Sequence, residues 1–268
     1  MERHHLFLED DRFEVAGHSY GSRLILGTSR YPNPKILRQS VAASGAELLT
    51  VSIRRLNVND AAAGSILDDL PSDCDLLPNT AGCFTAKEAV LTAELAREAL
   101  GVDRVKLEVI GDEDTRLPDA VETIRAAEGL VRAGFAVFPY CPDDLVTCLR
   151  LRDVGCAAVM PLASPIGSGM GLSNEYNLSL IREKMDIPVI VDAGIGTASD
   201  AARALELGCD AVLLNTAVSG AHDPVLMARA MALGVASGRA AFLAGRIPTR
   251  RFGRPSSPVD GRIDVQPS

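Results

Sequence analysis

Two charged residues stand two apart in an otherwise apolar run, Val105-Lys106-Leu107-Glu108-Val109-Ile110-Gly111-Asp112. Apolar and β-branched residues ending in Gly-Asp read as a strand. Side chains alternate between strand faces, so Lys106, Glu108 and Ile110 share one face and Val105, Leu107 and Val109 the other. Burying charge is unfavourable unless it is paired. A structural ion pair or a solvated sheet edge would account for the pattern, and so would chemistry. In a dry pocket burial favours the neutral form of an amine, which attacks a ketone. The imine acidifies adjacent C–H bonds, and nearby carboxylates can then move protons. A second carboxylate, Asp192, ends the run Pro188-Val189-Ile190-Val191-Asp192 and shares a face with Ile190. Its alternative role is to cap a helix or brace a loop.

Three glycine-bearing or polar turns suggest what the amine would act on. Gly194 and Gly196 follow the strand that ends in Asp192, Asn215-Thr216-Ala217 follows Ala211–Leu214, and Gly167-Ser168-Gly169 follows Ala157–Pro161. The first two turns lead into helix N-termini, where free N–H groups and the positive dipole end favour an anion. Glycine lets a phosphate approach the backbone, although a Gly-x-Gly turn is equally an ordinary strand-to-helix connection. Together these residues point to imine chemistry on a phosphorylated ketose. A bulky residue at Gly194 or Gly167 is expected to block the phosphate while sparing the fold.

The elements that would hold these residues follow a regular alternation. A short hairpin spans Leu6 to Tyr20. Eight short strands follow: Arg23–Gly27, Leu48–Ser52, Leu76–Pro78, Val105–Ile110, Phe135–Pro139, Ala157–Pro161, Pro188–Asp192 and Ala211–Leu214. Helices are expected from Pro32 to Ala46, from a Thr85 cap to Leu100, over Ala120–Ala133, from Asp143, over Tyr176–Lys184, from a Ser199 cap, and from Pro224 to Gly238. A loop and short helix fill Asn57 to Asp73. Strands alternating with helices mean parallel strands and crossover connections. Eight such units suggest an α/β protein of the (β/α)8 TIM-barrel type, with an open doubly wound sheet as the alternative. Residues 1–247 are read as one barrel domain with its hairpin, and residues 248–268 as an extended tail. Arg250, Arg251 and Arg254 in that tail are expected either to fold over the mouth of the site or a neighbouring subunit, or to lie in solvent as a plain solvated tail. Asn79-Thr80-Ala81 echoes Asn215-Thr216-Ala217, too briefly to argue a duplication.

Composition narrows the partners. The 268 residues are 47% hydrophobic but only 4% aromatic, without Trp, so Ala, Val, Leu and Ile must build the core. The net charge of −8 argues against nucleic acid or an anionic membrane. No apolar run in the sequence looks long enough to span a bilayer. The six cysteines include no C-x-x-C pair, which argues against a metal cluster, and Cys83 and Cys141 read as buried thiols rather than nucleophiles. Free thiols and the acidic N-terminus fit a cytoplasmic protein.

Longer stretches carry a specific resemblance. Leu76-Leu77-Pro78-Asn79-Thr80-Ala81-Gly82-Cys83, the run Val105–Asp112, Met160–Gly169, Val189–Thr197 and Val212–Ala217 together resemble bacterial thiazole synthase of thiamine biosynthesis. The segment Asn57 to Cys74 is less typical, and Ala163 stands where the family pattern has Gly. The resemblance implies a sulfurtransferase built as a (β/α)8 barrel. It would condense 1-deoxy-D-xylulose 5-phosphate, dehydroglycine and sulfur from a carrier protein with a C-terminal thiocarboxylate into a thiazole phosphate carboxylate. It implies that Lys106 forms the imine with the ketose C2 and that Glu108 and Asp192 are the acid and base. It places phosphate and sugar contacts at Gly167, Ala193, Gly194, Asn215 and Thr216. It implies no metal or cofactor, a homo-oligomer such as a tetramer, and a glycine oxidase or tyrosine lyase as the source of dehydroglycine. Another imine-forming barrel, such as an aldolase, or a non-catalytic scaffold for sulfur transfer would differ in its need for the carrier or for Lys106.

Overall fold

The computed structural model of the protein describes residues 11–53 and 66–257. A two-stranded antiparallel hairpin, β1 (Phe13–Val15) and β2 (His18–Tyr20), comes first. The main sheet contains β3 (Leu24–Gly27), β4 (Leu48–Ser52), β5 (Asp75–Asn79), β6 (Arg104–Leu107), β7 (Ala136–Cys141), β8 (Met160–Pro161), β9 (Ile190–Asp192) and β10 (Ala211–Leu214). All pair in parallel, in the order β8-β7-β6-β5-β4-β3-β10-β9. Parallel bridges Val159↔Val189 and Leu162↔Asp192 join the two ends. The Ile190 N–H donates to the Val159 carbonyl at 2.9 Å and the Ala163 N–H to the Asp192 carbonyl at 3.1 Å. The sheet therefore closes into a barrel, and the open doubly wound alternative falls away.

The connecting helices are α1 (Pro34–Ser44), α2 (Ala86–Leu100), α3 (Ala120–Arg132), α4 (Leu145–Val154), α5 (Glu175–Lys184), α6 (Ala198–Glu206), α7 (Thr216–Ser219) and α8 (Pro224–Ala244). Thr85 caps α2 by accepting from the Glu88 N–H, and Gly101 ends it in the left-handed region. Several boundaries differ from the sequence reading, β6 ending at Leu107 and β8 and β9 being shorter, and three helix ends have a local cause. The cap of α4 is Asp144, whose carboxylate accepts from the Thr147 N–H at 2.8 Å, and not Asp143. The cap of α6 is Thr197 rather than Ser199: Thr197 has the extended backbone a cap requires, and Asp200 accepts from its N–H at 3.0 Å. The last helix runs past Gly238 to Ala244, because Gly238 serves helix contact and not termination. A Cβ there would sit 2.1 Å from the Ala202 carbonyl of α6, and one at Gly234 would sit 2.4 Å from the Ala198 carbonyl.

That close approach bears on the membrane question. Among the described residues α8 is long and apolar enough to cross a bilayer, contrary to the reading from sequence. Its glycines instead seat it on α6 as a helix of the barrel's outer ring. Of the Asn57–Asp73 segment, residues 57–65 lie outside the described residues; a 3-10 turn covers Ile66–Asp69. Residues 245–257 form neither helix nor strand and are exposed, and none of the described tail residues lines the cleft at the barrel mouth.

Strand alternation sorts the core into two layers. Leu24, Leu26, Leu49, Val105, Leu107 and Val191 face the helices. Ile25, Leu48, Leu77, Phe138, Met160 and Leu213 fill the lumen, where Phe13, Val15 and Tyr20 of the hairpin plug the N-terminal end. Below them the Tyr20 hydroxyl donates to Asp75 at 2.7 Å and Arg104 pairs with Asp75 at 2.8 Å. Asp11 bridges Arg23 and Arg239, and those guanidiniums, Arg239 foremost, hold its carboxyl down at about 2. With the lower lumen filled, the larger opening among the described residues lies at the C-terminal end of the barrel.

Candidate active site

Lys106 lies on β6 and Asp192 ends β9, both buried, with Nζ 2.6 Å from Oδ2. The two strands are separated by β7 and β8, so the pair spans the lumen. Glu108 sits one residue beyond β6 and is also buried. Burial pushes its carboxyl above the ordinary range; the Lys106 cation opposes this, the Asp192 charge adds to it, and Arg116 opposes it. Burial likewise raises Asp192, against the pull of Lys106. The three residues expected to act together are thus assembled at one place. Reading the strand by itself set Glu108 beside the amine as its charge partner, whereas the direct ion pair is made by Asp192.

Thr80 holds this arrangement. Its hydroxyl donates to the Glu108 carbonyl and accepts from the Glu108 N–H, both at 2.8 Å, while its own N–H donates to the Lys106 carbonyl at 3.1 Å. Thr80 is fully buried. Sequence reasoning noted it only within the Asn-Thr-Ala echo and gave it no role, because its bonds reach 28 residues along the chain.

Above the pair opens a cleft of about 820 Å³, lined by Lys106, Glu108, Asp192 and the turns after β8, β9 and β10. Gly167, Ala193, Gly194, Asn215 and Thr216 all line it. The Thr216 hydroxyl lies 4.0 Å from where a Cβ at Gly167 would be, so the turns after β8 and β10 meet. Asn215 accepts from the Ser29 N–H at 3.2 Å and leans on Gly27, which ties the β10 turn to the β3 turn. Asp200 accepts from the N–H groups of both Gly196 and Thr197, so these amides at the start of α6 already have a carboxylate. The N–H groups of Gly167 and Gly194 donate to no group among the described residues.

Gly194 has φ +76°, and a Cβ on it would stand 2.4 Å from the Ser164 nitrogen. The expectation that a bulky residue there spares the fold is therefore corrected: the glycine is required by the contact between two turns. Ala193 has φ +63°, and Arg30 and Arg116 adopt left-handed φ of +65° and +58°. Three of the four non-glycine residues in this conformation among the described residues line the cleft; backbone strain of this kind gathers at functional sites. The two arginines escaped sequence reasoning because exposed loop arginines carry no periodic signal. Cys83 and Cys141 are buried and outside the cleft, and burial first, then Cys148, raises the Cys141 thiol far above its usual value.

Comparison with known proteins converges. Residues 14–258 match the family described as Thiazole biosynthesis protein ThiG. The chain is 52% identical to a thiazole synthase of Geobacter sulfurreducens, covering 94% of this chain and 98% of that one. It is 56% identical to a thiazole synthase of Xanthomonas axonopodis pv. citri, covering 94% and 97%. The crystal structure of the Amycolatopsis orientalis BexX/CysO complex aligns with a TM-score of 0.81 at 31% identity, covering 91% of this chain and 100% of that one.

Proposed function

The chain belongs to the ThiG family, the thiazole synthases of thiamine biosynthesis, and from that membership we propose that its buried lysine forms an imine with 1-deoxy-D-xylulose 5-phosphate. Lys106 is the nucleophile. The observation that carries this reading is the Lys106–Asp192 contact of 2.6 Å inside a cleft that also holds Glu108. Asp192 is placed to take the ammonium proton, which frees the amine to attack C2 of the ketose. Glu108, biased by burial toward its protonated form, supplies a proton to the departing hydroxyl as water is lost. Loss of the C3 proton gives the enamine, and tautomerisation moves the carbonyl to C3. Sulfur from the thiocarboxylate of a carrier protein and dehydroglycine then complete the thiazole phosphate carboxylate, and Lys106 is released.

The phosphate sits against Gly167, Ala193, Gly194, Asn215 and Thr216. Support comes from the amides of Gly167 and Gly194, which have no other partner among the described residues, and from the convergence of the three turns. An acidic protein needs such a backbone site, since its overall field repels phosphate. The carrier as partner is supported by the neighbouring fold having been crystallised with a second protein, CysO. Assembly as a homo-oligomer, a tetramer in this reading, is supported by exposed Leu91 and Leu95 on α2 and Val121 on α3. Dehydroglycine arrives from a glycine oxidase or tyrosine lyase, and the reaction runs in the cytoplasm without metal or redox cofactor.

The test is mass spectrometry after borohydride reduction in the presence of the ketose phosphate. The expected result is one reduced adduct on the peptide containing Lys106. An adduct on another lysine, or none, rejects the reading.

A further inference from the structure

We propose that Arg116 is a specificity-determining residue that receives the carboxylate of the two-carbon imine co-substrate; this rests on the imine reading above. Among the described residues three cations line the cleft: Lys106, Arg30 and Arg116. Lys106 is engaged by Asp192. Arg30 follows β3 beside Ser29, whose N–H is bound by Asn215, and so belongs to the side of the turns assigned to phosphate. Arg116 stands elsewhere on the rim, in the loop after β6, near enough for its charge to act on Glu108. A small α-imino acid must bring its carboxylate to the same carbon skeleton that Lys106 holds. Among the described residues, the rim near Glu108 is where a cation stands away from the turns assigned to phosphate.

The backbone of Arg116 is held while its side chain is not. Its N–H donates to the Asp112 carbonyl at 2.9 Å, and its carbonyl accepts from the Tyr140 hydroxyl at 3.3 Å. Its neighbours Gly111 and Leu117 are bonded to each other at 2.9 Å. Among the described residues the guanidinium pairs with Glu113 alone, at 4.0 Å, with both groups well exposed, a pairing of little strength. A pinned loop in a left-handed conformation, carrying a weakly engaged guanidinium at a cleft edge, is preorganised for bidentate binding of a carboxylate.

The experiment uses the full chain with thiocarboxylated carrier, ketose phosphate, and glyoxylate plus ammonium chloride as the source of the imine. Arg116→Gln is expected to raise KM for glyoxylate/ammonium by about tenfold to a hundredfold, the range for a lost charge-assisted hydrogen bond. Arg116→Lys should recover part of it. KM for the ketose phosphate and for the carrier, and the borohydride-trapped adduct on Lys106, should match wild type. An unchanged KM for glyoxylate/ammonium overturns the proposal, as does a rise confined to the carrier or the ketose phosphate. Absence of the adduct in the wild-type protein would instead overturn the imine reading on which the proposal rests.

Discussion

The Lys106 ammonium and the Asp192 carboxylate meet at 2.6 Å from strands that have two others between them in the barrel. A buried ion pair at the floor of the cleft couples folding to chemistry: removing either partner leaves a buried charge without compensation. Asp192→Asn is therefore expected to lower stability by up to about 3 kcal/mol, read as a shift in urea midpoint at pH 7. Lys106→Ala should abolish turnover and the trapped adduct while leaving a folded barrel. A variant without Lys106 that still makes thiazole at the normal rate would end the imine hypothesis.

Glu108 shares the upward shift of Asp192, but among the described residues no cation is paired directly with it. Burial, the largest influence, raises its carboxyl above the value it has in the unfolded chain. The folded state thus binds its proton more tightly than the unfolded state does. Its favourable contribution is complete below the ordinary carboxylate range, near about pH 4, and declines as pH rises through the raised value. Glu108→Gln removes that decline. Its melting temperature relative to wild type should rise between pH 4 and pH 8, while exchange of the ketose C3 proton with deuterated solvent slows. A difference in melting temperature that does not change with pH would mean that Lys106 and Arg116 fully compensate the buried charge.

Thr80 gives a prediction about positioning. Thr80→Val keeps the shape and loses the two 2.8 Å bonds to the Glu108 backbone. Leaving those groups unbonded in a buried site should destabilise by about 1–3 kcal/mol. The expected kinetic signature is a kcat reduced by at least about tenfold, equivalent to 1.4 kcal/mol, with KM for the ketose phosphate little changed. Thr80→Ser should restore most of the rate. If Ser fails to rescue, the methyl packing of Thr80 matters more than its hydroxyl.

The two turn glycines should separate fold from binding. Gly194→Ala forces a Cβ into the Ser164 backbone, so it is expected to lower the melting temperature markedly and to impair every activity together. Gly167→Ala has room, with Thr216 Oγ1 at 4.0 Å, but keeps φ +75°. Its expected effect is about 1 kcal/mol of destabilisation with weakened binding of the ketose phosphate, measured calorimetrically. Normal ketose-phosphate affinity in Gly167→Ala would move the phosphate away from the β8 turn.

Much of this architecture was legible in the residues alone. The repeated strand-and-helix pattern carried the eight parallel strands, because a buried strand and an amphipathic helix each impose a local period. Period two placed Lys106 with Glu108 and Ile190 with Asp192, and those faces do turn into the lumen. Capping was legible where a Thr and a Glu stood at the right spacing, as at Thr85 and Glu88. It misled at Ser199, where Thr197 held the extended backbone and Asp200 supplied the carboxylate.

Relations between distant elements were decided only by the tertiary structure. Barrel closure depends on bridges such as Leu162↔Asp192, whose partners no local pattern links. The same closure chose Asp192 over Glu108 as the partner of Lys106, because side chains on one strand face diverge along it while those on facing strands converge across a narrow lumen. It set Thr80 under Glu108, pressed the Gly194 turn against Ser164, and gave Gly238 to the contact with α6 instead of to a helix end. Residue type and spacing determine which groups can be buried on which face; only packing the faces against one another decides which groups meet.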